Sequence, residues 1–232
     1  MEMNDITRFF IGFTLDRVRP IKVIHLFWSF AMSRVLVIES SARQQGSVSR
    51  QLTEAFIQQW KIAHPGDNVQ VRDLGQQPVP HLDGDLLGGW MKPAEEQSAA
   101  EQAALVRSNE LIAELQVADV LVLAVPMYNF AIPSTLKAWI DHVLRAGVTF
   151  KYTETGPQGL LTGKRAYVLS ARGGIYSGEG SSFDHQEPYL RRALGFVGIT
   201  DVQFIHAEGQ AMGDDAAVQG LSTAKAKVAE IA

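Results

Sequence analysis

The chain is expected to fold as a three-layer α/β sandwich, a five-stranded parallel sheet of order 2-1-3-4-5 with helices on both faces. From Arg34 onward, short β-branched runs alternate with longer amphipathic ones, the pattern of a parallel sheet covered by helices. The runs VLVI and VLVLAV are almost wholly apolar, as central strands buried on both faces require. Five such strands joined by right-handed crossovers leave few topologies, of which this order is the common one.

The strand segments are Val35–Glu39, Asn68–Asp73, Asp119–Val125, Arg165–Ser170 and Asp201–Ile205. The second alternates as VQVRD, which suits a sheet edge. Ser47 and Ser49 precede a first helix with Leu52, Ala55, Phe56 and Ala63 on one face. Ser98 and Glu101 have the spacing of a capping box ahead of Leu105, Leu111, Ile112 and Leu115. Pro133 fixes φ near the first turn of a third helix, whose Leu136, Trp139, Ile140 and Val143 form a core-facing stripe. A fourth helix runs from about Gln186 to Phe196. The last follows Gly213, with Asp214 and Asp215 at its positive end and Lys225 and Lys227 near its negative one. Residues Gln76 to Lys92 read as a long loop whose Leu86, Leu87, Trp90 and Met91 suit a pocket wall or a subunit contact.

At 232 residues the chain suits one such domain, placed at 32–232. Residues 1–31 are read as an extension outside it, an upstream start or a poorly packed appendage, with a targeting segment as the alternative. The apolar run IKVIHLFWSFA carries Lys22 and His25 and falls short of the roughly 20 residues a bilayer span needs. A net charge of -4 gives no basic footprint for nucleic acid. With no cysteine there is no disulfide and no thiolate chemistry, which is compatible with a cytoplasmic location. The six histidines show no ligand spacing on one helix, and His81 with Asp83 and Asp85 reads as a solvated loop rather than a metal site. Neither a catalytic triad nor a carboxylate pair is evident.

In this sheet type, ligands bind beyond the carboxyl ends of the strands where the strand order reverses. The loops there read SSARQQGSVS, PMYNFAIPS and ARGGIYSGEG. The first brings Ser40, Ser41, Gly46, Ser47 and Ser49 to a helix N-terminus, whose unpaired amides and partial positive charge suit a phosphate. Helix capping alone is the other reading of those serines. The loop lacks both G-x-G-x-x-G and G-x-x-x-x-G-K-[ST], which points to a monophosphate rather than a dinucleotide or a nucleoside triphosphate. The first strand is also not followed by paired aspartates, which argues against a phospho-acceptor receiver domain. The second loop offers Met127, Tyr128 and Phe130 to an aromatic ring system and Asn129 to its polar edge, unless these side chains only plug the end of the sheet. In the third, Ala171 and Arg172 lead into Gly173 and Gly174, and paired glycines let a flat ligand approach the backbone. A phosphate tail with a large flat head describes flavin mononucleotide (FMN).

Longer motifs carry a resemblance. MSRVLVIESSAR, VRDL, AVPMYNFAIPSTLKAWIDHVLRAGVTFKYTETGPQGLLTGKRA, SARGGIY and GFVGITDVQFIHAEG, spread from Met32 nearly to the C-terminus, resemble the bacterial FMN-dependent NADH:azoreductases, relatives of the NAD(P)H:quinone oxidoreductases. The resemblance implies a flavodoxin-like homodimer with one FMN per subunit and active sites at the dimer interface. It implies ping-pong exchange, in which NADH or NADPH reduces the flavin and a quinone or aromatic azo compound then takes the electrons. Phosphate contacts then fall on Ser41, Ser47, Val48 and Ser49, and ring contacts on Met127, Tyr128, Asn129, Phe130, Ala171, Arg172, Gly173 and Gly174. Ala171 replaces a serine that many relatives carry, and Tyr176 stands where some carry histidine. Backbone amides of residues 172–174 are the expected donors toward negative charge developing on the flavin. Tyr152, Trp90 and Phe196 are expected as walls of the site, and a flavodoxin-type electron carrier is the alternative function.

Overall fold

A computed structural model describes residues 32–232; the proposed extension, residues 1–31, lies outside the described residues. Five strands form one parallel sheet: β1 (Arg34–Glu39), β2 (Asn68–Asp73), β3 (Val120–Pro126), β6 (Arg165–Ala171) and β7 (Asp201–Ala207). Their order is β2-β1-β3-β6-β7, the 2-1-3-4-5 arrangement expected once the remaining two strands are set aside. Those two, β4 (Phe150–Thr153) and β5 (Gly156–Gly159), make an antiparallel hairpin that the sequence reading missed. GPQG lacks β-branched residues, and so gives no strand signal.

β3 is buried along its whole length, whereas the edge strand β2 is exposed or half-buried throughout, as the alternation in its sequence indicates. Helices α1 (Val48–Ala63) and α6 (Asp214–Ile231) cover one face. The cluster beneath them joins Val35, Val37, Phe56, Trp60, Val122, Tyr167 and Val228. Leu36, Ile38, Leu111, Leu115, Leu123, Trp139, Val168 and Leu190 form the other core, under α3 (Ala99–Val117), α4 (Ser134–Val143) and α5 (Glu187–Phe196). The α4 stripe is buried as expected. On α1 the stripe ends at Trp60, while Ala63, expected on the buried face, is exposed. The capping box forms between Ser98 and Glu101. Pro133 is itself the N-cap of α4, and no basic residue reaches the last turn of α6.

The 76–92 segment holds a helix, α2 (Gly84–Met91), where a loop was expected. Asp83 caps it by accepting the Leu86 amide, so this aspartate is committed to local structure. Gly88 and Gly89 hid the helix from propensity reasoning. Their missing side chains admit α3: a Cβ on Gly88 would lie 2.4 Å from Glu101 Oε1, and one on Gly89 2.9 Å from Leu105 Cγ. Leu86 is buried, whereas Leu87 and Met91 remain exposed.

Candidate functional site

A cleft of about 260 Å³ opens at the carboxyl edge of β1, β3 and β6. It is lined by Ser41, Ser47, Val48, Ser49, Met127, Tyr128, Ala171, Arg172 and Gly173 from the three expected loops. Pro126, Gln210 and Ala211 also line it, and the sequence reading had not singled these out. Asn129 lines an adjoining hollow of about 790 Å³ with Ile132, Lys137, His185 and Tyr189. Phe130 and Gly174 border neither.

The serine loop is built around α1. Ser47 caps the helix, its hydroxyl accepting the Arg50 amide at 3.4 Å. Ser49 is fully buried with its hydroxyl 3.1 Å from that of Ser47. The capping reading and the ligand reading are therefore compatible, because the amides of Val48 and Ser49 donate to no acceptor among the described residues. Arg50, which the sequence reading had not picked out, organises the loop from below. Its guanidinium donates to Ser41 O (3.2 Å) and Arg43 O (3.0 Å), and pairs with Asp73 through both oxygens, at 2.7 and 2.8 Å. Glu39, 6% exposed, places Oε2 3.9 Å from Arg50 Nη1 without any hydrogen-bond partner. Burial pushes its carboxyl up to about 7 against the pull of Arg50.

The second loop makes a two-residue turn. Tyr128 and Ala131 exchange both backbone hydrogen bonds at 3.0 Å across Asn129 (φ 48°) and Phe130 (φ 69°). Two successive left-handed residues define a type I′ turn, for which Asn-Gly is the unstrained choice. Asn129 tolerates its place; Phe130 costs about 1–2 kcal/mol there. This aromatic ring is 49% exposed and packs edge-on to Tyr176 and beside Phe183. The Tyr128 hydroxyl approaches the Ala42 amide (3.3 Å), tying the second loop to the first.

In the third loop the carbonyls of Arg172, Gly173 and Gly174 accept from the amides of Gln210, Ala211 and Gly209. The Arg172 amide donates to Ala207 O, so it is removed from the expected 172–174 donor set. The Gly173 and Gly174 amides donate to no acceptor among the described residues. The Arg172 side chain is 2% exposed and turned into the protein, with Nη2 2.9 Å from Asp184 and Nε donating to Gln186 at 3.2 Å. The Asp184 contact is an ion pair without hydrogen-bond alignment, since Nη2 has no hydrogen-bonded partner. Glu208 meets Arg172 Nη1 at 3.5 Å. Burial works against the charge on Glu208, but the Tyr176 amide, the Ser177 hydroxyl and Arg172 together hold it below the usual carboxylate range.

A serine–histidine–glutamate chain joins three elements. Ser170 Oγ is 2.6 Å from His206 Nδ1, and His206 Nε2 is 2.8 Å from Glu187 Oε2. The three residues lie on β6, β7 and α5, so no spacing reveals them. Ser170 is fully buried, which bars a substrate carbonyl from its hydroxyl and makes the chain a polar tie between elements. Burial first, and Arg172 second, lower the affinity of His206 for a proton.

None of the expected wall residues borders the cleft of its own chain. Tyr152 is 72% exposed on β4, Trp90 is half-buried on α2, and Phe196 packs on Phe150 where α5 ends.

The family model described as a flavodoxin-like fold matches residues 33–232. Over 201 residues, 87% of this chain and the full length of the relative, the sequence is 74% identical to the FMN-dependent NADH:quinone oxidoreductase 2 of Pseudomonas fluorescens. It is 73% identical, with the same coverage, to the FMN-dependent NADH:quinone oxidoreductase of Azotobacter vinelandii. Among solved structures, an azoreductase from Bacillus anthracis str. Sterne superposes with a TM-score of 0.81 at 32% identity, covering 86% of this chain and 98% of that one. An FMN-dependent NADH-azoreductase from Bacillus anthracis str. Ames Ancestor in complex with FMN gives 0.78 at 30% identity, covering 87% and 100%.

Proposed function

Because the chain belongs to this flavodoxin-like family, we infer that its cleft binds FMN and that the protein is an FMN-dependent NADH oxidoreductase acting on quinones and aromatic azo compounds. The observation that carries this reading is the convergence of a serine-lined helix N-terminus, an aromatic turn and a double-glycine loop on one sheet edge.

The residues fit the cofactor. Unpartnered amides at Val48 and Ser49 suit a phosphate monoester, with Arg43 beside them in the lining. Met127 and Tyr128 offer apolar surface to a flat ring. The Gly173 and Gly174 amides are free to donate to an anionic ring edge, and Gly173 has no side chain to fill the space in front of it. When bound, FMN supplies two-electron chemistry, accepting hydride from the nicotinamide and passing electrons on in a ping-pong exchange. Met127 and Tyr128 of the second loop would hold the ring, and the Gly173 and Gly174 amides of the third would donate to it.

The cofactor contacts are assigned to Ser41, Ser47, Val48 and Ser49 for the phosphate. Met127, Tyr128, Asn129, Phe130, Ala171, Arg172, Gly173 and Gly174 are assigned to the ring: Met127, Tyr128, Ala171, Arg172 and Gly173 line the cleft, Asn129 lines the adjoining hollow, Phe130 and Gly174 sit next to these in the chain, and Arg172 acts by holding its loop rather than by its own amide. The protein works as a cytoplasmic homodimer of a domain spanning 32–232. Exposed Leu87, Met91, Tyr152 and Phe183 support an apolar subunit contact that would bring walls to the partner's cleft. The test is to identify the flavin in purified protein, reduce it anaerobically with NADH and with NADPH, and then add quinones and azo dyes. Direct bleaching by a nicotinamide and reoxidation by either acceptor are expected. A colourless protein that binds no added FMN, or a bound flavin that no nicotinamide bleaches, refutes the reading.

A further inference from the structure

The Glu39–Arg50–Asp73 cluster lies beneath the serine loop and outside the set of assigned contacts. Arg50 has two duties: it clamps the carbonyls of Ser41 and Arg43, which shape the loop, and among the described residues it is the one cation facing two carboxylates. Asp73 takes the bidentate pair, and its Oδ1 also accepts the amides of Gly75 and Gln76. Glu39 is left with a 3.9 Å approach to Arg50 and a buried, unbonded oxygen. The Thr53 hydroxyl beside it donates to Ser49 O at 3.0 Å and, with Arg50, favours the charged form of Glu39 against the larger effect of burial. The charged groups facing Glu39 are thus Arg50 from α1 and Asp73 from β2, with the neutral Tyr128 hydroxyl reaching Ser41 from the second loop.

With both carboxylates ionised the cluster carries a net charge of -1; with Glu39 protonated it is neutral. Arg50 links Glu39 to the carbonyls of Ser41 and Arg43, two residues that border the cleft, so an ionised Glu39 and a dianionic phosphate monoester at the serine loop repel each other across this cluster. We propose that Glu39 is a proton-accepting group coupled to phosphate-monoester binding at the serine loop, so that cofactor capture takes up a proton and weakens as the pH rises. This rests on the reading of the cleft as an FMN site and adds a regulating residue to it. The raised affinity of Glu39 for its proton, about 7, places the coupling where it can be measured. By linkage, whatever is bound more tightly to the protonated form raises that affinity further, and one unit of rise is about tenfold in the ligand's dissociation constant.

The test uses apoprotein of the full chain and two ligands, FMN and riboflavin, followed by quenching of flavin fluorescence between pH 7 and pH 9. Above pH 7 the FMN phosphate is almost wholly dianionic, its second pKa lying near 6 as for other phosphate monoesters, so its own titration drops out. For a one-unit rise the FMN dissociation constant is expected to increase about fivefold across this window, while that of riboflavin, which lacks the phosphate, stays level. In Glu39→Gln the FMN curve is expected to flatten to the riboflavin shape. Calorimetric titration of the wild-type protein with FMN at pH 8, in two buffers of different ionisation enthalpy, reads proton uptake directly and needs no variant to fold. Uptake of a substantial fraction of one proton supports the coupling. No uptake together with a level FMN curve overturns it and leaves the FMN reading intact, whereas failure to bind FMN at any pH overturns both.

Discussion

Replacing Arg172 by methionine should cost about 3–5 kcal/mol of unfolding free energy, the range for breaking a buried ion pair from one side. The guanidinium is 2% exposed and faces Asp184 at 2.9 Å, Glu208 at 3.5 Å and Gln186 at 3.2 Å. Methionine fills most of the space but leaves two carboxylates facing an apolar side chain. The lower end of the range is expected because neither carboxylate is wholly orphaned. Asp184 keeps the amides of Gln186 and Glu187, and Glu208 keeps the Tyr176 amide and the Ser177 hydroxyl. Urea unfolding of the apoprotein at neutral pH, with m unchanged, measures the loss. A second signature separates the charge from the packing. Arg172 disfavours protonation of His206, so the His206 ring should titrate at higher pH in the variant, as followed by NMR. Adding Asp184→Asn should recover part of the stability, because the stranded charge is then gone. A loss below about 1 kcal/mol, or a His206 titration that does not move, refutes the reasoning.

Gly75→Ala sets a Cβ 2.3 Å from Ser41 O and should lower stability by about 2–3 kcal/mol and FMN affinity several-fold, with a thermal melt and a flavin titration as the measurements. Asn129→Ala keeps a left-handed residue without the side chain that tolerates it, so about 1 kcal/mol of stability and much of the FMN retention should go; full flavin occupancy would sink the assignment of this turn. Gly173→Val meets only Ala211, at an ordinary 3.4 Å, so apoprotein stability should stay within about 1 kcal/mol of wild type while flavin occupancy collapses. For Glu39 the folded state holds a proton the unfolded chain has released, so stability falls as pH rises from 4.5 to about 7 and is level above. Glu39→Gln should remove that fall and leave the variant more stable by about 2–3 kcal/mol at pH 8, whereas equal pH profiles for variant and wild type would contradict it.

What the sequence made legible was periodicity. The central strands VLVI and VLVLAV are apolar without interruption, and the α4 stripe repeats at helical spacing, so sheet order and the loops at its carboxyl edge follow from the residue pattern. Features that depend on close approach were not legible. The glycines of α2 look like loop residues until α3 is seen lying against them, and GPQG looks like a turn until Phe150–Thr153 pairs with it. Long-range polar contacts were hidden for a different reason. Ser170, Glu187 and His206 meet across three elements, and Arg50 meets Asp73 across 23 residues, with nothing local to mark either pairing. The serines, the aromatic turn and the double glycine were visible because a cleft built largely on backbone demands unusual residue types next to one another in the chain.

The local conflicts of this chain gather at that same edge. Phe130 occupies a conformation suited to glycine, Glu39 is buried without a hydrogen bond for Oε2, and Gly75 is pressed against Ser41 O. The first two together cost about 3–5 kcal/mol, a large part of the roughly 5–15 kcal/mol by which a folded domain exceeds its unfolded state. A sequence under pressure for stability alone would relieve them with Gly at 130 and an apolar residue at 39. A tightly held cofactor offsets the cost instead, since a ligand at a thousand times its dissociation constant stabilises the folded form by about 4 kcal/mol. The strain and the ligand are therefore two halves of one balance: the edge is arranged to be complete only when it is filled, and the proton on Glu39 adjusts how readily it fills.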